Sequence, residues 1–472
     1  MSLDLHDLIL HALPSEHFLA QPRPDAALGP PVGTVDTTTL AAHDFDVDTR
    51  TGFMPPQPPI TRLPPAWESW EELLDDARDG KLKLGERPDL SEDDKALSDR
   101  WRARVREMPV LPTDDLKLSE LLLRRAHLVL AWIMHFYIRT LPPSTADVRV
   151  PAPLTLPLLQ VSQHLQLPPV LTYSDDVLYN WALKHAEPLA PAPSLDNLRC
   201  VTLFTGTQDE EEFYLASARI ELRGVEALGL MRATMDEAFV GDEIAIRRIS
   251  AYLHSLSVVI ADLTKLLLAV REGCDPDVFY HQIRPWFRGA DSDANAPQWI
   301  FEGIERDPTL HAPVELSGPS AGQSALVHAL DIFLGVDKYS HAAHMTGKAG
   351  QPAPAPAHEK AQASFLERMK LYMPRHHRAF LGHLQANPRP LRALVEGASD
   401  AKLTEAYNAA VGALKVFRDA HVRIVALYIV GPSRRAGQSG DAARGTGGTS
   451  AIRFVKSVRD QTASAVIPQP EA

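Results

Sequence analysis

Residues 402–430 read KLTEAYNAAVGALKVFRDAHVRIVALYIV, and this stretch decides the fold of the second half of the chain. Apolar or small side chains recur along it at the spacing of one helix face. They are Leu403, Tyr407, Ala410, Leu414, Phe417, Ile424 and Tyr428. His421 takes the place of one member of this stripe. The pattern therefore predicts a long helix that presents a histidine to the protein interior.

This histidine has two interpretations, and the stretch alone leaves both open. His421 is either a core histidine with its ring nitrogens hydrogen-bonded, or an axial ligand of a haem iron. A neutral imidazole on a rigid helix, in an apolar wall, suits the second role. Arg418 lies three residues earlier on the same face. It pairs with an acid or reaches a haem propionate.

The composition is that of a soluble globular protein. The chain has 472 residues with 48 basic and 60 acidic side chains, so its formal net charge is −12. This balance argues against nucleic acid or an anionic membrane as the main partner, because both attract basic patches. Two cysteines are too few for a disulfide framework, and the first 20 residues lack the basic start of a secretory signal. We therefore expect a cytoplasmic protein without a membrane span.

Periodicity along the rest of the chain predicts an all-α fold with two helical domains. Residues 1–66 form a proline-rich segment that is expected to be extended and on the surface. A small helical domain follows at 67–197, and a larger one at 198–472. A proline–alanine run marks the boundary. Within the large domain we expect a disordered insertion at about 346–360 and a mobile loop at about 431–449.

The individual helices follow from the same periodicity. They are predicted at 67–77, 90–108, 116–140, 209–237, 241–272, 277–287, 320–335, 360–373, 375–386, 389–397 and 402–430. Only 148–156 and 200–204 resemble strands, and prolines interrupt the first of these. The adjacent His376 and His377 are expected on the surface. His341 and His344 form a weak zinc candidate, for which a solvated helix end is the alternative.

Five stretches, in their order along the chain, resemble the indoleamine 2,3-dioxygenases, haem enzymes that open the indole ring of tryptophan. They are LPPVLTY at 167–173, PSAGQS at 319–324, RMKLYMP at 368–374, the helix around His421, and GTGGT at 445–449. The resemblance runs from about residue 67 to residue 467. It implies an all-α protein with haem between two domains, and it makes His421 the proximal iron ligand.

The resemblance also implies a role for each matching residue. Arg284 matches the arginine that pairs with the substrate carboxylate, and Ser217 matches a serine that hydrogen-bonds the indole N–H or O₂. The other substrate-binding candidates are Tyr173, Phe213, Phe279, Ser320 and Thr446. The haem-side candidates besides His421 are Ala321, Gly322 and Arg418, with Asp331 as the acid near Arg418.

Two positions depart from the family pattern. Tyr214 stands where a second phenylalanine is common, and it is expected to make the pocket slightly more polar. Asp176 stands where many relatives carry a small or apolar residue. If Asp176 lines the pocket, it is expected to weaken the binding of an anionic substrate.

The reaction implied by the resemblance converts L-tryptophan and O₂ to N-formyl-kynurenine, the first step of the kynurenine pathway. It requires haem b with ferrous iron, and hence a cellular reductant. The family is usually monomeric. Two alternatives stay open. One is a haem protein that binds O₂ with weak or no tryptophan oxidation, and the other is a dioxygenase with a different indoleamine preference.

Overall fold

The computed structural model describes residues 45–144, 146–185, 193–292, 297–337, 365–437 and 451–468. These residues are predominantly helical, which confirms the predicted all-α class. The insertion at about 346–360, the His341–His344 pair and Thr446 lie outside the described residues. The same holds for most of the loop at about 431–449 and for residues 1–44.

The longer helices of the described residues are numbered in chain order. They are α1 (Glu68–Ala77), α2 (Glu92–Glu107), α3 (Glu120–Arg139), α4 (Ala152–Leu165), α5 (Gln208–Arg223), α6 (Val225–Val240), α7 (Glu243–Gly273), α8 (Ala325–Phe333), α9 (Arg375–Gln385), α10 (Leu391–Ala398), α11 (Ala401–Val425) and α12 (Ala451–Ser464). Shorter helical turns include Ser174–Leu178, Phe279–Ile283, Arg284–Phe287 and Ala426–Val430.

Within the described ranges, four three-residue strands form two small pairs. Val148–Val150 (β1) pairs in parallel with Trp299–Phe301 (β4). Trp181–Leu183 (β2) pairs antiparallel with Leu198–Cys200 (β3). The predicted strand at 148–156 is therefore correct only at its start. The prolines that follow it begin α4, because proline is tolerated in the first turn of a helix.

The prediction of one helix over 209–237 is wrong. The chain forms α5 and α6 instead, which meet at Gly224. A Cβ atom at Gly224 would overlap the Leu326 side chain of α8. Any side chain at this position would require Leu326 to move, so glycine favours the contact of the α5–α6 junction with α8.

Part of the proline-rich segment packs into the interior, so the expectation of a surface segment is wrong for it. Phe53 and Met54 are each 1% exposed. The ring of His377 lies edge-on to Phe53 at 4.9 Å, and its Nε2 lies 3.2 Å from the carbonyl oxygen of Asp46. His377 is 0% exposed, so the prediction that it lies on the surface is also wrong.

Two large hydrophobic clusters and one small cluster form the core of the described residues, and α11 contributes to both large clusters. Its first turns bury Tyr407 and Leu414 in one cluster, and the chain continues to Tyr428 in the other. α11 also packs along α7 and α12. The Trp132 ring stacks on Phe204 at 4.0 Å, so one cluster continues across residue 197. The division into domains at that residue stays a prediction.

Among the described helices, α3 and α7 are long and apolar enough to cross a membrane by length and composition. The apolar window of α3 is 89% buried inside the protein, and that of α7 is 39% buried. The core helices of soluble proteins have the same character, so this feature is weak evidence for a membrane span. α3 belongs to the cluster that contains Trp132 and Phe204.

Glu221 of α5 connects three parts of the interior, and sequence analysis did not identify it. Its Oε1 accepts hydrogen bonds from the Tyr173 hydroxyl at 3.0 Å and the Ser324 hydroxyl at 2.6 Å. Its Oε2 is buried without a partner among the described residues. Burial raises the pKa of Glu221 to about 7, against the effect of the two hydroxyl donors.

The raised pKa predicts a pH-dependent stability. The folded state holds the Glu221 proton more tightly than the unfolded state, so stability is lost as pH rises from about 4.5 to about 7. Glu221→Gln keeps an oxygen that accepts both hydrogen bonds but cannot ionise. We expect the stability of the variant, relative to wild type, to rise by up to about 3 kcal/mol over this window. Urea unfolding of both proteins at several pH values measures the difference, and a constant difference would contradict the prediction.

Candidate active site

A cavity of about 210 Å³ opens beside the C-terminal half of α11. It has room for several water molecules, each of which takes about 30 Å³ in the liquid. The sequence-predicted residues that line it are Tyr173, Phe213, Ser217, Phe279, Arg284, Ser320, Ala321, Gly322 and His421. The structure thus brings together side chains from distant parts of the sequence. Their individual roles stay predictions.

His421 contributes an imidazole to the wall. No hydrogen-bond partner for either ring nitrogen is found in the described part of the chain. Burial lowers the pKa of His421 to about 4, and the positive charge of Arg418 acts in the same direction. The ring is therefore neutral at neutral pH, with a lone pair on one nitrogen that can bind a metal.

Arg418 does not line the cavity, although it lies one helical turn before His421. Its guanidinium makes two hydrogen bonds of 2.5 Å to the two carboxylate oxygens of Asp331 on α8. It also donates to the Thr462 hydroxyl and to the carbonyl of Val458, both on α12. Of the two roles considered for Arg418, the structure shows the ion pair with an acid. Contact with a propionate stays a prediction.

The small residues at 320–322 form a second wall. The Ser320 hydroxyl accepts a hydrogen bond from the Gly322 N–H at 3.2 Å and caps the turn. Gln323, which sequence analysis missed, fixes this wall to its surroundings. Its Oε1 accepts from the Tyr173 N–H at 2.8 Å, and its Nε2 donates to the Gly318 carbonyl at 3.0 Å. Tyr173 and the small-residue wall therefore belong to one rigid frame.

Aromatic rings form a third wall. The centres of the Phe213 and Phe279 rings lie 4.4 Å apart, and the ring planes are tilted by 37°. Tyr428, which was not predicted as a site residue, lies edge-on to Phe279 at 5.6 Å. Its hydroxyl donates to the Cys274 carbonyl at 2.6 Å. Because the hydroxyl has this partner, Tyr428 contributes mainly its ring to the cavity wall. Such faces suit a flat aromatic ligand.

Arg284 is the cationic group of the cavity lining and is 6% exposed. Its guanidinium carbon lies 5.2 Å from the centre of the Tyr280 ring. Burial and the charge of Arg288 lower the pKa of Arg284 to about 10, so it remains charged at neutral pH. A buried cation in a mainly apolar cavity favours a ligand that carries an anion.

The two departures noted in the sequence have different outcomes. Tyr214 does not line the cavity and is 1% exposed, and its hydroxyl donates to Glu210 at 3.2 Å. The expected effect of Tyr214 on pocket polarity is therefore not found. Asp176 does line the cavity, but burial and then the charge of Asp175 raise its pKa well above the usual range. Its environment favours the neutral acid, which removes the expected repulsion of an anion.

The donor set fits a cofactor that brings most of its own metal ligands. No group of three or more His, Cys, Asp or Glu side chains that could hold a bare metal ion is found within the described ranges. A single neutral imidazole beside small residues and apolar walls instead suits an axial position on a flat metal complex such as haem.

Known proteins match the chain over most of its length. The indoleamine 2,3-dioxygenase family matches at residues 41–465. An indoleamine 2,3-dioxygenase of Aspergillus candidus is 31% identical over 443 residues, covering 92% of this chain and 100% of the relative. Indoleamine 2,3-dioxygenase 1 of Mus musculus is 30% identical over 437 residues, covering 91% and 96%.

A third relative carries a different substrate in its name. It is the 6-hydroxytryptophan 2,3-dioxygenase of Fusarium equiseti, 30% identical over 448 residues, with 90% of this chain and 97% of the relative covered. The matched range includes all the predicted residues that line the cavity, from Tyr173 to His421. The chain belongs to the indoleamine 2,3-dioxygenase family.

Proposed function

We propose that the protein is a haem-dependent dioxygenase that inserts both atoms of O₂ across the indole C2–C3 bond of L-tryptophan and yields N-formyl-kynurenine. Family membership supports dioxygenase activity on indoleamines in general. One observation carries the proposal to this substrate class. A single cavity combines the neutral imidazole of His421, the buried cation of Arg284 and the paired rings of Phe213 and Phe279.

In this proposal His421 holds haem b, and the small side chains of Ala321 and Gly322 allow a flat ring system to approach closely. When bound, haem supplies the oxygen chemistry, and its iron must be ferrous for activity. A cellular reductant is therefore part of the proposal. The protein binds and orients the substrate and excludes water.

Arg284 would bind the substrate carboxylate through two parallel hydrogen bonds, a geometry that guanidinium groups favour. The rings of Phe213 and Phe279 would hold the indole plane. Thr446 would add a donor from the loop at about 431–449, which lies mostly outside the described residues. Ser320 belongs to the small-residue wall at 320–322 and would contact the same substrate.

The hydrogen-bond direction at Ser217 supports its predicted role. The Tyr173 hydroxyl donates to Glu221, so its oxygen is available to accept from the Ser217 hydroxyl, which lies within hydrogen-bonding reach. With its own hydrogen directed to Tyr173, the Ser217 oxygen presents lone pairs to the cavity. It can then accept a hydrogen bond from the indole N–H and orient the ring.

Two other functions remain as candidates. A haem protein that binds O₂ without oxidising tryptophan has no use for the buried cation of Arg284, which disfavours it. A dioxygenase with another indoleamine preference is favoured by one observation, the polar Asp176 in the cavity lining. We also propose that the protein acts as a cytoplasmic monomer, with no nucleic-acid or membrane partner.

The assignment of His421 predicts the loss of haem in His421→Ala. Without the imidazole the cavity offers no strong axial ligand, so we expect at least tenfold weaker haem retention after reconstitution with haemin. The Soret absorbance of the reduced, desalted protein measures this. His254→Ala, which removes an exposed histidine of α7, is the control and is expected to retain haem. A full Soret band in His421→Ala would disprove the assignment of His421. The proposed activity would be disproved if the wild-type protein bound haem but formed no N-formyl-kynurenine from L-tryptophan in air.

The assignment of Arg284 predicts a defect that depends on the substrate carboxylate. Arg284→Ala leaves that carboxylate in an apolar cavity without a partner, so we expect KM for L-tryptophan to rise by roughly 100-fold with haem content unchanged. Tryptamine lacks the carboxylate, and its binding is expected to change far less. Titration of the ferric Soret band with each ligand measures both affinities. Equal losses for the two ligands would show that Arg284 acts on the fold of the cavity and not on the carboxylate.

A further inference from the structure

Two adjacent buried aspartates, Asp175 and Asp176, lie on the turn Ser174–Leu178 and differ in their hydrogen bonds. Asp175 is fully partnered. Its Oδ1 lies 2.8 Å from Nδ1 of His127, and its Oδ2 accepts from the N–H and the hydroxyl of Thr172 at 2.9 and 2.7 Å. Burial lowers the pKa of His127, but the charge of Asp175 and the hydrogen bonds to Asp175 and to the Pro168 carbonyl together raise it overall. Asp175 is therefore a structural carboxylate that holds the turn in place.

Asp176 has none of these contacts. It is 4% exposed and lines the cavity. Its Oδ1 is buried without a hydrogen-bond partner in the part of the chain that the structure describes. Folded proteins rarely leave a buried carboxyl oxygen in this condition, because the group loses its hydration without compensation. Asp176 thus brings to the cavity wall a carboxyl group with one oxygen that lacks a described partner, and a ligand in the cavity can supply the missing contact.

Asp176 and Arg284 are separate polar points of the same cavity. Burial and then the charge of Arg288 act on Arg284, whereas burial and then the charges of Asp175 and Glu210 act on Asp176. Among the described residues, no ion pair between Arg284 and Asp176 is found. Because burial and two nearby acids favour its neutral form, Asp176 can both donate and accept a hydrogen bond.

Unsubstituted tryptophan leaves Asp176 without a partner. Its carboxylate belongs at Arg284, and its ammonium group is attached to the carbon next to that carboxylate, close to Arg284. Its indole N–H is matched by the oxygen of Ser217. The remaining edge of the indole, the benzo ring, has no polar atom. A ligand that satisfies Asp176 must carry a further donor or acceptor on that ring.

We propose that Asp176 is a specificity-determining residue that hydrogen-bonds a hydroxyl group on the benzo ring of the indole, so that the cavity prefers ring-hydroxylated tryptophans to tryptophan. This inference rests on the proposed function and names the substrate class of the same site. Discrimination of this kind is strong, because a buried polar group that stays unpaired disfavours the analogue without the hydroxyl.

The test compares substrates and variants in the haem-reconstituted protein. kcat/KM and the dissociation constant, from the ferric Soret shift, are measured for L-tryptophan, 5-hydroxy-L-tryptophan and 6-hydroxy-L-tryptophan. In wild type, kcat/KM for at least one hydroxylated substrate is expected to exceed kcat/KM for tryptophan. In Asp176→Ala the ratio of kcat/KM for that substrate to kcat/KM for tryptophan is expected to fall roughly tenfold or more. kcat/KM for tryptophan itself is expected to rise. Asp176→Asn is the matched control, because its amide can still hydrogen-bond a hydroxyl and should keep most of the preference.

The outcomes separate this inference from the proposed function. Turnover of tryptophan with the same substrate ratio in wild type and Asp176→Ala would overturn the inference and leave the dioxygenase intact. Equal losses for all three substrates in Asp176→Ala would show that Asp176 contacts a group they share, such as the ammonium, and would also overturn it. Absence of turnover with every substrate in haem-loaded wild type would overturn the proposed function instead. Thermal unfolding of each variant shows that the protein remains folded.

Discussion

The buried ion pair between Arg418 and Asp331 sets the geometry on which the cavity depends. Arg418 lies one turn before His421 on α11, and Asp331 lies on α8, the helix that directly follows the small-residue wall. The two hydrogen bonds of 2.5 Å therefore fix the imidazole-bearing helix relative to the wall it faces. A buried pair of this kind is costly to break, because either partner alone would be an uncompensated charge. Burial and then the positive charge of Arg418 keep the His421 ring neutral.

Burial also decides which groups of the cavity carry charge. Arg284 stays cationic although burial lowers its pKa, because the pKa remains near 10. Burial drives His421 and Asp176 toward their neutral forms, since each would lose hydration without gaining an opposite charge. Among the lining residues that the structure describes, Arg284 thus supplies one positive charge beside neutral polar groups. This distribution matches an amino acid whose carboxylate is its strongest point of recognition.

Much of the site could be predicted from the sequence, and the exceptions have physical reasons. His421 was found because helical periodicity makes a polar residue conspicuous in an apolar stripe. The family resemblance was needed to choose between a core histidine and an iron ligand. Glu221 was missed because its importance comes from Tyr173 and Ser324, which are distant in sequence. The break at Gly224 was missed because glycine is tolerated within helices, and only the contact with Leu326 requires it. Helix α4 was missed because its first residues resembled a strand interrupted by Pro151 and Pro153, which in the structure lie at the start of the helix.

The neutrality of Asp176 and the charge of Arg284 depend on each other in function. An ionised Asp176 would offset the one positive charge of the cavity lining and repel a carboxylate as it entered. A protonated Asp176 preserves the attraction of Arg284 for the anion and still offers a donor and an acceptor to another part of the ligand. The adjacent Asp175 contributes to this state, because its own charge, held by His127 and Thr172, disfavours a second charge beside it. One turn of the chain thus supplies a charged carboxylate for structure and a neutral one for recognition.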